Sequence, residues 1–145
     1  MRTTTIDENF AGIEVLNGRY KYEGDLKIDG NVAVDVELVV DGKLIVGGDL
    51  ISTENINATD SIIVFGNIIA RDITTGTLLC DNDVIVENLN TDKFALGNIV
   101  ANGDIKTRQM SSCYGDIVCD NLVSDTRIYC GGEIRAEKIY APLSF

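Results

Sequence analysis

Gly24 to Arg71 divides without insertion or deletion into eight six-residue units: Gly24–Asp29 (GDLKID), Gly30–Asp35 (GNVAVD), Val36–Asp41 (VELVVD), Gly42–Gly47 (GKLIVG), Gly48–Thr53 (GDLIST), Glu54–Thr59 (ENINAT), Asp60–Phe65 (DSIIVF) and Gly66–Arg71 (GNIIAR). The third residue of every unit is aliphatic, from Leu26, Val32 and Leu38 through to Ile68, and the fifth is aliphatic or small, from Ile28 and Val34 to Ala58 and Ala70. Two inward side chains separated by one outward residue describe a very short strand. Gly, Asp and Asn at many of the junctions suit a sharp bend, so each unit reads as strand then corner. A chain that alternates such units is a solenoid.

Beyond Arg71 the spacing slips, yet three columns of third-position residues can be followed. Column one is Val32, Leu50, Ile68, Val84, Ile99, Ile117 and Ile134; column two is Leu38, Ile56, Ile73, Leu89, Ile105, Leu122 and Ile139; column three is Leu26, Leu44, Ile62, Leu78, Phe94, Ser111 and Ile128. Successive members lie 15 to 18 residues apart. The expected fold is therefore all-β, a triangular parallel β-helix of about seven coils, with slips confined to corners where the inward and outward faces are not exchanged. At about 4.8 Å per coil the rod stands roughly 30 Å tall. Residues 1–9 read as a short flexible or edge-covering arm, 10–141 as the β-helix and 142–145 as an end segment.

Composition narrows the function. The 145 residues include no His and no Trp, and carry a net charge of -11, which argues against a nucleic-acid or anionic membrane partner. No apolar run approaches the roughly 20 residues of a membrane span, and the first residues lack the apolar core of a signal peptide, so a cytoplasmic location is expected. Cys80, Cys113, Cys119 and Cys130 show no paired CxxC spacing and read as small core residues, Cys113 stacked beside Cys130, rather than as a metal site or disulfide framework.

Enzymatic solenoids fit poorly. Left-handed hexapeptide-repeat acyltransferases and the related carbonic anhydrases share the period but depend on His, and their small residue precedes the aliphatic one instead of following it. Right-handed polysaccharide lyases and hydrolases need clustered carboxylates or Ca²⁺ sites on elaborated loops, whereas here acids such as Asp25, Asp49 and Asp116 sit singly at corners. No catalytic, cofactor-binding or metal residue is assigned, and the chain is expected not to be an enzyme.

Contact with other molecules is the remaining role. Outward fourth-position residues of column one are aliphatic on five successive coils (Ile51, Ile69, Ile85, Val100 and Val118), while column two presents Asn57, Thr74, Asn90 and Lys106. The stripe suggests lateral self-association. The ends suggest end-to-end self-association, through Phe10, Ile13 and Leu16 at one and Leu143 and Phe145 at the other. A discrete dimeric protein-binding module is the alternative.

Residues Glu23 to Leu50, best in the run from Glu23 to Val32 (EGDLKIDGNV), together with the later units at Gly66, Gly97, Gly115 and Gly132, resemble the bactofilin family of polymer-forming bacterial cytoskeletal proteins. The resemblance implies a right-handed β-helix that assembles end to end without nucleotide. It implies a structural scaffold whose partners are itself and envelope or cytoskeletal proteins. Direct membrane binding through a long N-terminal arm of the kind found in that family is not expected.

Overall fold

The computed structural model describes residues 2–144. The chain winds about seven turns of parallel β-solenoid, and among the described residues there is no helix. Each column expected from the sequence is a register line. Val32 pairs with Leu50, Leu50 with Ile68, Ile68 with Val84, and so on to Ile117 with Ile134. Columns two and three run likewise from Leu38 to Ile139 and from Leu26 to Ile128. Both register shifts in the long strand Asp72–Val86, at Thr75/Thr77 and at Cys80/Asp83, lie at corners.

The core is the stack of third-position residues. Leu38, Leu44, Leu50, Ile56, Ile62, Ile68 and Ile73 have no accessible surface. Large and small residues compensate one another in column three, where Phe94 lies beneath Ser111. That buried hydroxyl is satisfied: Ser111 Oγ accepts the Phe94 N–H at 3.0 Å, donates to the Gln109 carbonyl at 3.0 Å and lies 2.9 Å from Thr107 Oγ1.

Several fifth-position residues are small and polar, and apart from Thr75, whose buried hydroxyl has no partner among the described residues, their polar atoms serve the corner backbone. Thr91 Oγ1 lies 2.9 Å from the Gly76 carbonyl, and Ser124 Oγ donates to the Thr126 carbonyl at 2.8 Å. The cysteines do the same work. Cys80 Sγ donates to the Gly66 carbonyl, Cys113 Sγ to that of Gly97 and Cys130 Sγ to that of Gly115, at 3.1, 3.3 and 3.1 Å. All four thiols are free and buried, and Cys113 is paired in register with Cys130.

The corners leading into columns one and two are held by a side-chain ladder. Into column one come Asn31, Asp49, Asn67, Asp83, Asn98 and Asp116, and into column two Asn55, Asp72, Asn88, Asp104 and Asn121, in strict alternation of amide and carboxylate. The side-chain oxygens of Asn31, Asp49, Asn55, Asn67, Asn88, Asn98 and Asp116 accept a backbone N–H of the coil above, while those of Asp72, Asp83 and Asp104 accept from the Asn side-chain amide above them. Asp49 N–H donates to Asn31 Oδ1 (2.8 Å), Asn67 N–H to Asp49 Oδ1 (2.7 Å), Asp83 N–H to Asn67 Oδ1 (3.1 Å) and Asp116 N–H to Asn98 Oδ1 (2.9 Å). The amide also donates downward, from Asn98 Nδ2 to Asp83 Oδ1 and from Asn121 Nδ2 to Asp104 Oδ1, both at 2.8 Å. Where a Gly precedes a rung, as at Gly66, Gly103 and Gly115, this geometry accounts for it: Asn98 Oδ1, for example, occupies the space a Cβ on Gly115 would need. Alternation places carboxylates on every second coil, about 10 Å apart and near the screening length of physiological salt.

The N-terminal end adds strands beneath the first regular coil. Strand β1 (Thr3–Thr5) pairs in parallel with the column-one strand Asn31–Val34, and Ile6 beyond it is fully buried. Strands β2 (Ile13–Leu16) and β3 (Arg19–Glu23) form an antiparallel hairpin, β3 pairing above with Glu37–Asp41 of column two. Its turn, Asn17-Gly18, has positive φ at both residues (43° and 81°), the type I′ geometry that matches strand twist. Phe10, Ile13, Tyr20 and Tyr22 pack on the core, while Val15 and Leu16 stay exposed. At the other end Ile134 and Ala136 are half-buried and Ile139 is exposed, and Leu143–Ser144 pairs with Ile128–Tyr129.

Two outcomes test this packing. Asn67→Asp puts carboxylates on three consecutive coils and is expected to cost about 1 kcal/mol, shrinking as salt is added; an unchanged thermal midpoint at low salt would contradict the ladder. Burial pushes the Cys80, Cys113 and Cys119 thiols up from the ordinary 9.0 to about 11. The folded state keeps these protons where an unfolded thiol loses them, so this part of the stability is whole below about pH 9 and is lost as pH rises towards 11. Thiol titration with a disulfide reagent near pH 8 should therefore be slow in the native protein and fast in denaturant, and fast native labelling would contradict it.

Candidate functional site

Because strand residues alternate, every coil presents one fourth-position side chain on each face. On column one the register makes a continuous line of these, Ala33–Ile51–Ile69–Ile85–Val100–Val118, with Thr5 below and Arg135 above. Ile51, Ile69, Ile85 and Val100 are 47, 44, 48 and 42 % exposed, and Val118 is half-buried. The stripe expected from the sequence is thus a single straight surface feature, about 19 Å from Ile51 to Val118.

Three shallow hollows follow it. The largest, about 460 Å³, lies over Ile69 and Ile85 and is bordered by Arg71 and Glu87. Another, about 270 Å³, sits between Ile85, Val100 and Val118 on the side of Asp83 and Asp116. The third, about 240 Å³, lies at Ala33 and Ile51 beside Asp35. All are open grooves beside an apolar ridge, with acidic residues on one side of the ridge at Asp83 and Asp116 and on the other at Asp35 and Glu87. The cations near them are paired: Arg71 lies 3.5 Å from Glu54 and Arg135 lies 2.8 Å from Glu133.

Two aromatic residues of the adjoining corner, Phe65 and Tyr114, are 53 and 83 % exposed and were not anticipated from sequence. They occupy the junction after the fifth position of column three, where neighbouring coils carry Asp81, Gly97 and Gly131, so only the break in the junction's small-or-acidic pattern marks them. Column three adds a shorter apolar line, with Ile45 and Ile63 half-buried and Leu79 exposed.

The residues assigned to end-to-end association are not brought together as one surface. Phe10 and Ile13 are turned onto the protein's own core, while Leu16 stays exposed on the hairpin. Leu143 is described by its backbone pairing with Ile128, and Phe145 lies outside the described residues. Among the described residues no three His, Cys, Asp or Glu side chains converge as a metal site, and no helix is long and apolar enough to cross a membrane.

The family model of the Flagellar Assembly Protein A beta solenoid domain matches residues 12–144. No curated protein and no solved structure matches. The match overturns the resemblance to bactofilins, which rested on Gly-Asp and Gly-Asn units. Such units also arise from corner geometry, since at Gly66, Gly103 and Gly115 the Gly makes room for the side-chain oxygen of the coil below. The family is named for an assembly role and not for a reaction, and with nearly the whole described chain covered, this chain belongs to the Flagellar Assembly Protein A β-solenoid domain family.

Proposed function

We propose that this domain is a non-enzymatic structural module that holds a component of an assembly against the side of its rod. The observation that carries the reading is the contrast between flank and end. On the flank, four consecutive coils keep exposed aliphatic side chains and a fifth adds half-buried Val118, in one straight line bordered by grooves. An exposed apolar patch of a few hundred Å² usually marks a contact surface.

End-to-end growth of a polymer asks more of the molecule. Continuing the coil from one copy into the next requires free parallel edges of matching section at both ends. At the N-terminal end column two finishes on an antiparallel hairpin, and Ile6, Phe10 and Ile13 fill the section with the protein's own side chains. The half-exposed Ile134 and Ala136 with exposed Ile139 at the opposite end favour a one-sided contact there as a second reading. A cytoplasmic setting belongs to the same proposal, because the buried thiols act as hydrogen-bond donors in reduced form.

Sedimentation velocity with negative-stain microscopy, across protein and salt concentration, tests this. Particles of one fixed size are expected at every concentration; filaments that lengthen with concentration and appear without nucleotide would overturn the flank-docking reading in favour of end-on assembly.

A further inference from the structure

The geometry points to a cationic amphipathic helix of a partner protein as the occupant of the column-one groove. This rests on the flank-docking reading above and names the partner's chemistry.

The first argument is charge. Asp83 and Asp116 border the groove on one side, Asp35 and Glu87 on the other, and all four are exposed. Arg71 and Arg135 are each already matched by a glutamate. Whatever lies on the apolar ridge therefore meets carboxylates along both edges. A partner with Lys or Arg on either side of an apolar stripe satisfies them, and like charges there would be costly.

The second argument is size and shape. A strip of strand three residues wide and about 19 Å tall offers a few hundred Å². That is short of the roughly 800 Å² per partner of a stable dimer. A second copy would also set acidic border against acidic border, whichever way it were turned, because both borders are acidic. A helix rises 1.5 Å per residue, so about 13 residues run from Ile51 to Val118 and about 16 reach Ala33. Its diameter matches the width of a single face. Apolar residues at i, i+3, i+4 and i+7 lie along the ridge, while basic residues on either side reach the two borders.

The test uses a fluorescent synthetic 18-residue Leu/Lys amphipathic helix and its Leu/Glu counterpart, with binding followed by anisotropy. The Lys peptide should bind at least tenfold tighter than the Glu peptide, and its affinity should fall as salt rises. Ile69→Asp with Ile85→Asp adds negative charge, so a purely electrostatic association would tighten; at least a tenfold loss is expected instead. Thr74→Asp with Asn90→Asp adds the same charge on column two and should leave binding unaltered, while circular dichroism verifies that each variant is folded. Equal binding of the two peptides, or undiminished binding to the Ile69/Ile85 variant, would overturn the inference. A dimer of the native chain that this variant dissociates would identify a second copy as the occupant, overturning the inference while the flank remains a docking face. Filaments would instead count against the flank-docking reading itself.

Discussion

The corner is where this fold meets its hardest requirement. Strand residues find partners in the coils above and below, but a backbone that bends three times per turn presents N–H groups at each bend that must also be paired. In the corners entering columns one and two, a side-chain oxygen of the coil below pairs the N–H of Asp49, Asn67, Asp72, Asp83, Asp104 and Asp116, at 2.7 to 3.2 Å. Coils stack at about 4.8 Å, so any residue used at a corner is used again directly above itself. A ladder of Asp alone would pile up charge, which alternation with Asn avoids. Alternating Asn31, Asp49, Asn67, Asp83, Asn98 and Asp116 keeps the charges apart, since each carboxylate sits beside amides that donate to it or share its corner.

Much of the architecture was legible because it is periodic. The three columns, the placing of register slips at corners and the neighbouring Cys113 and Cys130 all follow from counting inward residues. What escaped were features that the period does not encode. The hairpin of β2 and β3 is local, announced by Asn17-Gly18 between strand-forming residues, and is hidden when the first residues are read as a damaged coil. The pairing of Thr3–Thr5 depends on an unpaired edge thirty residues away, which no local pattern reports. The Asn/Asp alternation was present in the sequence, but its meaning depends on knowing that the alternating residues are vertical neighbours. The mistaken family resemblance has the same origin, for Gly-Asx units express the mechanics of a corner and are shared by chains with different work to do.

The functional surface was partly legible for a similar reason. Ile51 to Val118 fall on one line in any reading that keeps the columns, so the stripe could be drawn before its exposure was known. Its grooves and the adjoining exposed Phe65 and Tyr114 depend on the placing of corner side chains, which the inward period does not encode. An apolar residue near a terminus can equally lid its own core, as Phe10 and Ile13 do. A straight apolar flank suits a member of a family named for assembly.

Amide hydrogen exchange resolved by residue tests the corner ladder most directly. If side-chain oxygens of one coil hold the next, the N–H groups of Asn67, Asp83 and Asp116 should be protected to the same degree as strand amides such as those of Ile68 and Val84. Exchange of those three corner amides at the rate of open loops, with the strands between them still protected, would contradict the account.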